Sequence, residues 1–407
     1  MKTEGITFSE RQNSKKYITI EEKMKPLLMS MKLFGMYFDP KQGDNAPGQL
    51  QNGRKRIPTR ILSFIGHRLY CYIVLILLWF NFVRSVVGIF PPNETLPFRI
   101  LMTSWYLQCT LSVTVIVFSC QRLGHLRSFY NYWDSLFKNN VTNQIGCGFK
   151  CPVKYLLLAT SGGWMLFFIN IAAVFTVSFG NLSTSKFFLG VIVRPFPEEQ
   201  WAIALQLILH VIGTGAWIFP VIFVVVVSRI IKDQFLIFGQ VLSKQIQEAD
   251  DHIPHRLPEL RSRYTQLCQA VIIINRPFKW ILGISFFLQV FLACFISYQI
   301  INGSHEAFTT FANSFWLGGC FLIIILLTRS SSDVHEAAHS LLEDIFHTGT
   351  KNATTELLGQ LNLFVSKLTG TSTGFTVINF FVIKNEFLLT LGGLFVTYFF
   401  LLLQFKI

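Results

Sequence analysis

His335-Glu336-Ala337-Ala338-His339 has the spacing of a zinc-hydrolase helix. Two imidazoles at i and i+4 share one helical face, with a carboxylate beside them to act as general base on a metal-bound water. Such a site needs a third ligand, and Glu343, Asp344, His347 and Glu356 follow in the chain. No G-x-x-H or second acidic motif follows at a familiar offset. The preferred reading is therefore a polar face on a helix that continues from a membrane span. The protein is read as a non-enzyme with no cofactor and no metal. The competing class is a polytopic membrane zinc metalloprotease built on this motif. Cys147 and Cys151 are spaced like a metal or redox pair, but no second pair or His stands near them. No Walker motif, Gly-rich dinucleotide loop or Ser/His/Asp arrangement stands out.

A second set of residues could bind rather than react. Arg84, Trp105, Gln108, Trp201, Gln206, His210, Tyr298, Gln299, Asn313 and Trp316 lie toward one end of apolar segments. Aromatic faces combined with amides form pockets for small polyhydroxylated or heteroaromatic molecules. His210 inside a span reads first as a satisfied core residue, and as an intramembrane ionisable group it is also a functional candidate. The expected ligand pocket is Asn313, Trp316, Gln108, Trp105, Gln206, His210, Gln299 and Arg84. Asn313 and Trp316 are three apart and share a helical face. The alternative assigns Trp105, Trp201 and Tyr298 to an interfacial aromatic belt. A third set closes the chain: Thr397, Leu401 and Gln404 fall at i, i+4 and i+7 on one face of an apolar stretch, Phe387 to Ile407. An unpaired amide in hydrocarbon is costly, so this face should line water or meet copies of itself.

These groups need a scaffold, and composition names its class. The chain of 407 residues is 51% hydrophobic and only 14% charged, against about 25% charged in soluble domains. Apolar segments recur at 66–90, 99–120, 155–180, 201–227, 279–301, 307–328 and 387–405, each long enough to span. The net charge of +13 is not a nucleic-acid signal, because the basic residues gather in alternate loops. Loops 91–98 and 302–306 lack Lys and Arg, and 181–200 balances Lys186 and Arg194 against Glu198 and Glu199. Segments 1–62, 121–154 and 228–278 are basic. The positive-inside rule then places the N-terminus in the cytoplasm, and seven crossings place the C-terminus outside. Each predicted outer loop holds an N-x-S/T sequon, at Asn93, Asn181 and Asn302, and glycosylation is expected there. No outer-loop cysteine is available for a disulfide, and no secretory signal peptide is visible.

The inner segments are patterned too. Ile231, Phe235, Phe238, Leu242 and Ile246 form one helical stripe, and Leu257, Leu260, Tyr264, Leu267, Val271 and Ile274 another. Val334, Ala338, Leu341 and Ile345 continue the sixth span, and Leu357, Leu361, Phe364 and Leu368 make a further helix. Such stripes serve subunit assembly or packing within one chain. Near the N-terminus, Pro26 to Phe34 reads as a short amphipathic helix at the membrane surface. Gly374 to Ile383 is too short to span and reads as a helix below the membrane. The fold class is therefore an all-α membrane protein of seven transmembrane helices, N-terminus inside and C-terminus outside, extended into a cytoplasmic anchor. Its parts are 1–62 (cytoplasmic), 63–227 (spans one to four), 228–278 (cytoplasmic helices), 279–328 (spans five and six), 329–386 (anchor helices and the first half of the last segment) and 387–407 (the last span).

Seven spans also suggest a G-protein-coupled receptor, but the orientation is inverted and no D-R-Y or N-P-x-x-Y is present at the expected places. Thr397-Tyr398, five apolar residues and Gln404-Phe405 instead match the C-terminal T-Y…Q-F signature of insect gustatory receptors. With the inverted topology and split last segment, the chain resembles that family, which is similar to the insect odorant receptors. The resemblance implies a ligand-gated, non-selective cation channel of the plasma membrane that responds to a small-molecule tastant. It implies a tetramer, of identical chains or shared with related subunits, whose only other partner is membrane lipid. Carried onto this sequence, Gln404 and Phe405 form the outer gate, and Thr397 and Leu401 line the pore. The pocket opens outward within the first six spans. Phe399 stands where sugar-receptor members often carry Glu, which leaves fructose-like, polyol or bitter ligands.

Overall fold

Two helices set the scale of the molecule. In a computed structural model, Gln200–Glu248 and Leu257–Asn302 are single helices of 49 and 46 residues. At 1.5 Å per residue each runs roughly 70 Å, more than twice the roughly 30 Å of a bilayer's hydrocarbon core. The structure describes residues 18–38, 59–90, 95–138, 152–179, 189–196, 199–249, 252–302, 307–346, 349, 353–370 and 372–404. In chain order the helices are α1 (Ile20–Lys23), α2 (Lys25–Leu33), α3 (Thr59–Val87), α4 (Leu96–Val115), α5 (His125–Lys138) and α6 (Val153–Phe179). They continue as α7 (Gln200–Glu248), α8 (Leu257–Asn302), α9 (Ala307–His339), α10 (Leu341–Phe346), α11 (Thr355–Gly370) and α12 (Glu386–Gln404). A π-helical stretch, Ile116–Arg122, prolongs α4.

Among the described residues, six helices are long and apolar enough to cross a membrane: Gly66–Val87, Leu96–Ser119, Val153–Thr176, Gln200–Glu248, Leu257–Asn302 and Thr310–Glu343. A shorter apolar helix, Glu386–Leu401, makes the seventh segment. The α7 and α8 helices are central. Exposed Leu69, Ile73, Ile76, Phe80 and Val83 on α3, and Met165, Phe168, Ile169 and Phe175 on α6, give those two helices open apolar faces. At membrane depth such faces meet lipid.

The inner stripes pack inside the chain. Every residue of Ile231-Phe235-Phe238-Leu242-Ile246 and of Leu257-Leu260-Tyr264-Leu267-Val271-Ile274 is buried. The Tyr264 ring joins three elements, with centroids 5.9 Å from Phe235, 6.0 Å from Phe238 and 5.4 Å from Phe364. Its hydroxyl donates to the Ala338 carbonyl at 3.3 Å. Lys232 on α7 and Asp333 on α9 pair at 2.7 Å.

One expectation is refined and another needs correction. The N-terminal helix is amphipathic as expected, with Met29 and Leu33 exposed, but its apolar face packs on the protein. Leu27, Leu28 and Met31 are buried, and Phe34 stacks on Phe219 at 5.2 Å. A Cβ on Gly215 would lie 2.3 Å from the Phe34 ring, so glycine there is what lets Phe34 approach α7. Ser30 accepts from Trp164 Nε1 at 2.9 Å, which fixes α2 against α6.

The chain is also not all helical. Thr376–Val377 (β1) and Phe381–Val382 (β2) form an antiparallel hairpin in the register Thr376↔Val382 and Val377↔Phe381. The 374–383 stretch is rich in aromatic and β-branched residues, which favour extended backbone. Ile378 (φ 48°) and Asn379 (φ 65°) turn it. Asn tolerates that region, but a β-branched residue is strained there. Two contacts hold Ile378. Its N–H donates to the Lys279 carbonyl at 3.2 Å, and its side chain fills a notch at Gly283, where a Cβ would lie 2.4 Å from Ile378 Cγ1. Asn275 clamps the first strand through both amide atoms, each 3.0 Å from Thr376.

Candidate functional site

Five helices converge on a small, partly open pocket. Leu101, Met102 and Trp105 come from α4, Asn170 from α6, His210 and Trp217 from α7, Leu292 and Ile296 from α8, and Trp316 and Cys320 from α9. Helical spacing explains why these residues meet: 292/296 and 316/320 are i, i+4 pairs, and 210/217 are two turns apart. The pocket volume is about 50 Å³. Trp105 lies over His210 with ring centroids 4.7 Å apart, and Trp217 stands edge-on to Trp105 at 6.5 Å. Gly213 allows this, because a Cβ there would sit 3.1 Å from the Trp105 ring.

One side of the wall is rigidly hydrogen-bonded. Trp316 Nε1 donates to Asn170 Oδ1 at 2.9 Å, Asn170 Nδ2 donates to Thr214 Oγ1 at 3.0 Å, and Thr214 donates to the His210 carbonyl at 2.9 Å. The other side is open. Both ring nitrogens of buried His210 and the Nε1 of Trp217 have no partner.

Of the expected pocket residues, Trp105, His210 and Trp316 line this cavity. The others do not. Arg84 donates to Asn81 Oδ1 at 3.1 and 3.0 Å and to the Arg194 carbonyl, so it ties α3 to the segment before α7. Gln206 donates to the Tyr106 hydroxyl. Gln108 and Asn313 are buried but not in the lining, and Gln299 is half-buried toward the end of α8. Sequence reasoning missed Asn170 and Trp217. The available signals were the rarity of an amide within a span and the i, i+7 relation of Trp217 to His210. Asn93 and Asn181 lie outside the described residues, and Asn302 is the exposed last residue of α8.

The last helix is packed on one side only. Phe387, Leu391, Phe395 and Phe399 recur every four residues and are its more buried positions. Phe387 meets Phe286 at 5.1 Å and Phe395 meets Phe321 at 5.1 Å. Thr397, Leu401 and Gln404 lie on the exposed surface. The Thr397 hydroxyl is satisfied by the Gly393 carbonyl at 2.9 Å. Phe405 lies outside the described residues. Beside this helix an apolar groove of about 640 Å³ runs along α8, lined by Phe287, Phe291, Cys294, Leu394 and Tyr398 among others.

The H-E-x-x-H face is occupied by the chain itself. Thr373 N–H donates to His339 Nε2 at 3.1 Å, and His335 Nδ1 lies 2.9 Å from the Thr373 carbonyl. Glu336 accepts from Asn385, whose Oδ1 accepts from Ser332 at 2.7 Å. This face clasps the segment that carries the hairpin and leads into α12. Among the described residues no group of three or more His, Cys, Asp or Glu is placed to hold a metal.

A long-helix bundle with an aromatic pocket, helical extensions beyond the spans and a half-bare terminal helix defines a multi-pass membrane protein. The model of the 7tm chemosensory receptors matches residues 24–407, and the chain belongs to that family. Two solved structures are similar. The insect olfactory receptor OR5 from Machilis hrabei has a TM-score of 0.64 and 17% identity, over 94% of this chain and 97% of that one. The same receptor in complex with eugenol has a TM-score of 0.65 and 17% identity, with the same coverage. No curated protein matches the chain in sequence.

Proposed function

We propose that this chain is a gustatory-type receptor that acts as a ligand-gated, non-selective cation channel of the plasma membrane. Four copies surround a central pore, with the N-terminus inside and the C-terminus outside. The observation that carries this reading is the one-sided packing of α12. Its Phe stripe faces its own subunit, while Thr397, Leu401 and Gln404 face outward. A Gln facing hydrocarbon has a high cost, and a water-filled axis removes that cost. Phe405 beside Gln404 supplies the aromatic ring from which a dewetting gate is built. The five-helix pocket serves as the ligand site, and the similar receptor in complex with eugenol supports a small organic molecule as the ligand class.

The pocket is linked to the pore helix by adjacent residues. Cys320 lines the pocket, and its neighbour Phe321 packs on Phe395. Leu292 and Ile296 line it from α8, and Cys294 between them donates to the Phe395 carbonyl at 3.9 Å. A ligand that binds one arrangement of this wall more tightly shifts the gate by that difference in affinity. The test is Phe405→Ala expressed in a heterologous cell. Cation current without ligand is expected, and a closed baseline equal to the parent's would reject the gate.

A further inference from the structure

We infer that the pocket selects a small flat aromatic compound carrying one hydrogen-bonding group, such as a phenol or an indole, and rejects sugars and polyols. The inference rests on the pocket being the ligand site. Three observations support it, all from this chain.

The first is size. About 50 Å³ is roughly a third of the ~150 Å³ cavity known to take up benzene, so even one ring enters only as the wall parts, and each further heavy atom asks for more room. A hexose is larger, and a disaccharide far larger.

The second is the wall. Trp105, Trp217 and Trp316 present aromatic surface, and Leu101, Met102, Leu292 and Ile296 close the rest with hydrocarbon. Flat rings stack and pack edge-on against such walls with a gain beyond area burial alone.

The third is the polar inventory. Asn170 is already engaged on both its amide atoms, by Trp316 and Thr214. What remains unpartnered is His210 Nδ1, His210 Nε2 and Trp217 Nε1. An uncharged imidazole gives one donor and one acceptor, and an indole N–H gives one donor. One hydroxyl, a donor with two lone pairs, can use all three, and a ring N–H can use the imidazole acceptor. A polyol carries a hydroxyl on nearly every carbon, and most of these would be buried unpaired at high cost. A plain hydrocarbon of the same size leaves the His210 and Trp217 groups unsatisfied.

The experiment uses the full-length protein purified in lipid nanodiscs, with quenching of tryptophan emission as the binding signal. The ligands are phenol, indole, toluene, fructose and sorbitol. Saturable quenching by phenol is expected, about tenfold tighter than by toluene, and indole, whose own emission overlaps tryptophan's, is followed by calorimetry and should bind saturably. Fructose and sorbitol should neither quench nor compete. His210→Leu should weaken phenol about tenfold and leave toluene unchanged or tighter. It removes unpaired polar atoms, so folding should survive. Trp217→Phe keeps the ring, removes the N–H and should weaken phenol severalfold, an independent reading.

Competition by fructose or sorbitol, absence of phenol and indole binding, or unchanged phenol affinity in both variants would overturn the inference. Binding with this pattern but no current in cells leaves the inference standing and rejects the channel. Current evoked by fructose with phenol silent does the reverse.

Discussion

Phe321 and Phe395 meet edge to face, with ring centroids 5.1 Å apart at an interplanar angle of 81°. Phe321 follows Cys320 of the pocket wall, and Phe395 lies in the middle of the terminal helix. In the proposed channel this contact passes pocket rearrangement to the gate. Phe321→Ala should therefore reduce the maximal ligand-evoked current severalfold and change the affinity measured by tryptophan quenching by less than about threefold, because Phe321 lies outside the lining. Equal losses in both quantities would make the contact a support of the pocket and not a coupler.

Asn170 bridges Trp316 and Thr214 across three helices. Asn170→Ala leaves both partners without that bridge. Hydrogen bonds within membrane proteins contribute about 0.6 to 1.7 kcal/mol each, so a total loss of roughly 1–3 kcal/mol is expected. Thermal unfolding in detergent, followed by loss of the monodisperse chromatographic peak, should show a lower midpoint. An unchanged midpoint would mean the bridge contributes nothing to stability.

Gly283 accommodates Ile378, whose Cγ1 would lie 2.4 Å from a Cβ at that position. Gly283→Ala should push the hairpin turn from α8 at a cost of about 1–3 kcal/mol. Hydrogen exchange should speed up at 376–383 while the α7 and α8 interiors stay protected. Protection equal to the parent's across the hairpin would refute the notch.

The H-E-x-x-H pair should act as a clasp. Elemental analysis of the purified protein should show no stoichiometric zinc, and chelator treatment should leave ligand binding unchanged. His339→Ala should instead accelerate hydrogen exchange near Thr373, because His339 Nε2 is the acceptor for its N–H. Bound zinc lost on substituting His335 and Glu336 would revive the protease reading.

The last segment illustrates how much could be read in advance. Gly374 to Ile383 has Phe375 and Val377 buried with Ile383 opposite, a period of two too short to stand out in a mostly apolar run whose Thr376 and Asn379 are its only polar residues. The N-terminal helix was legible only in part. Its amphipathic pattern gives one apolar face, and whether lipid or protein covers that face depends on Gly215 and Trp164, almost two hundred residues and more than a hundred residues away in the chain.

The spans, the long inner stripes and the terminal T-Y…Q-F were fixed by local order of residues, because hydrophobic length and helical period are properties of neighbouring positions. The same holds for the polar face of Thr397, Leu401 and Gln404. The pocket was not local. Trp105, His210 and Trp316 were singled out by type, but Asn170 and Trp217 joined them only when five helices packed. That same packing paired Gln206 with Tyr106 and Arg84 with Asn81 and the Arg194 carbonyl, outside the cavity lining. Which buried polar atoms find partners is decided across helices. Three in the pocket wall that do not, on His210 and Trp217, became visible only in the assembled bundle.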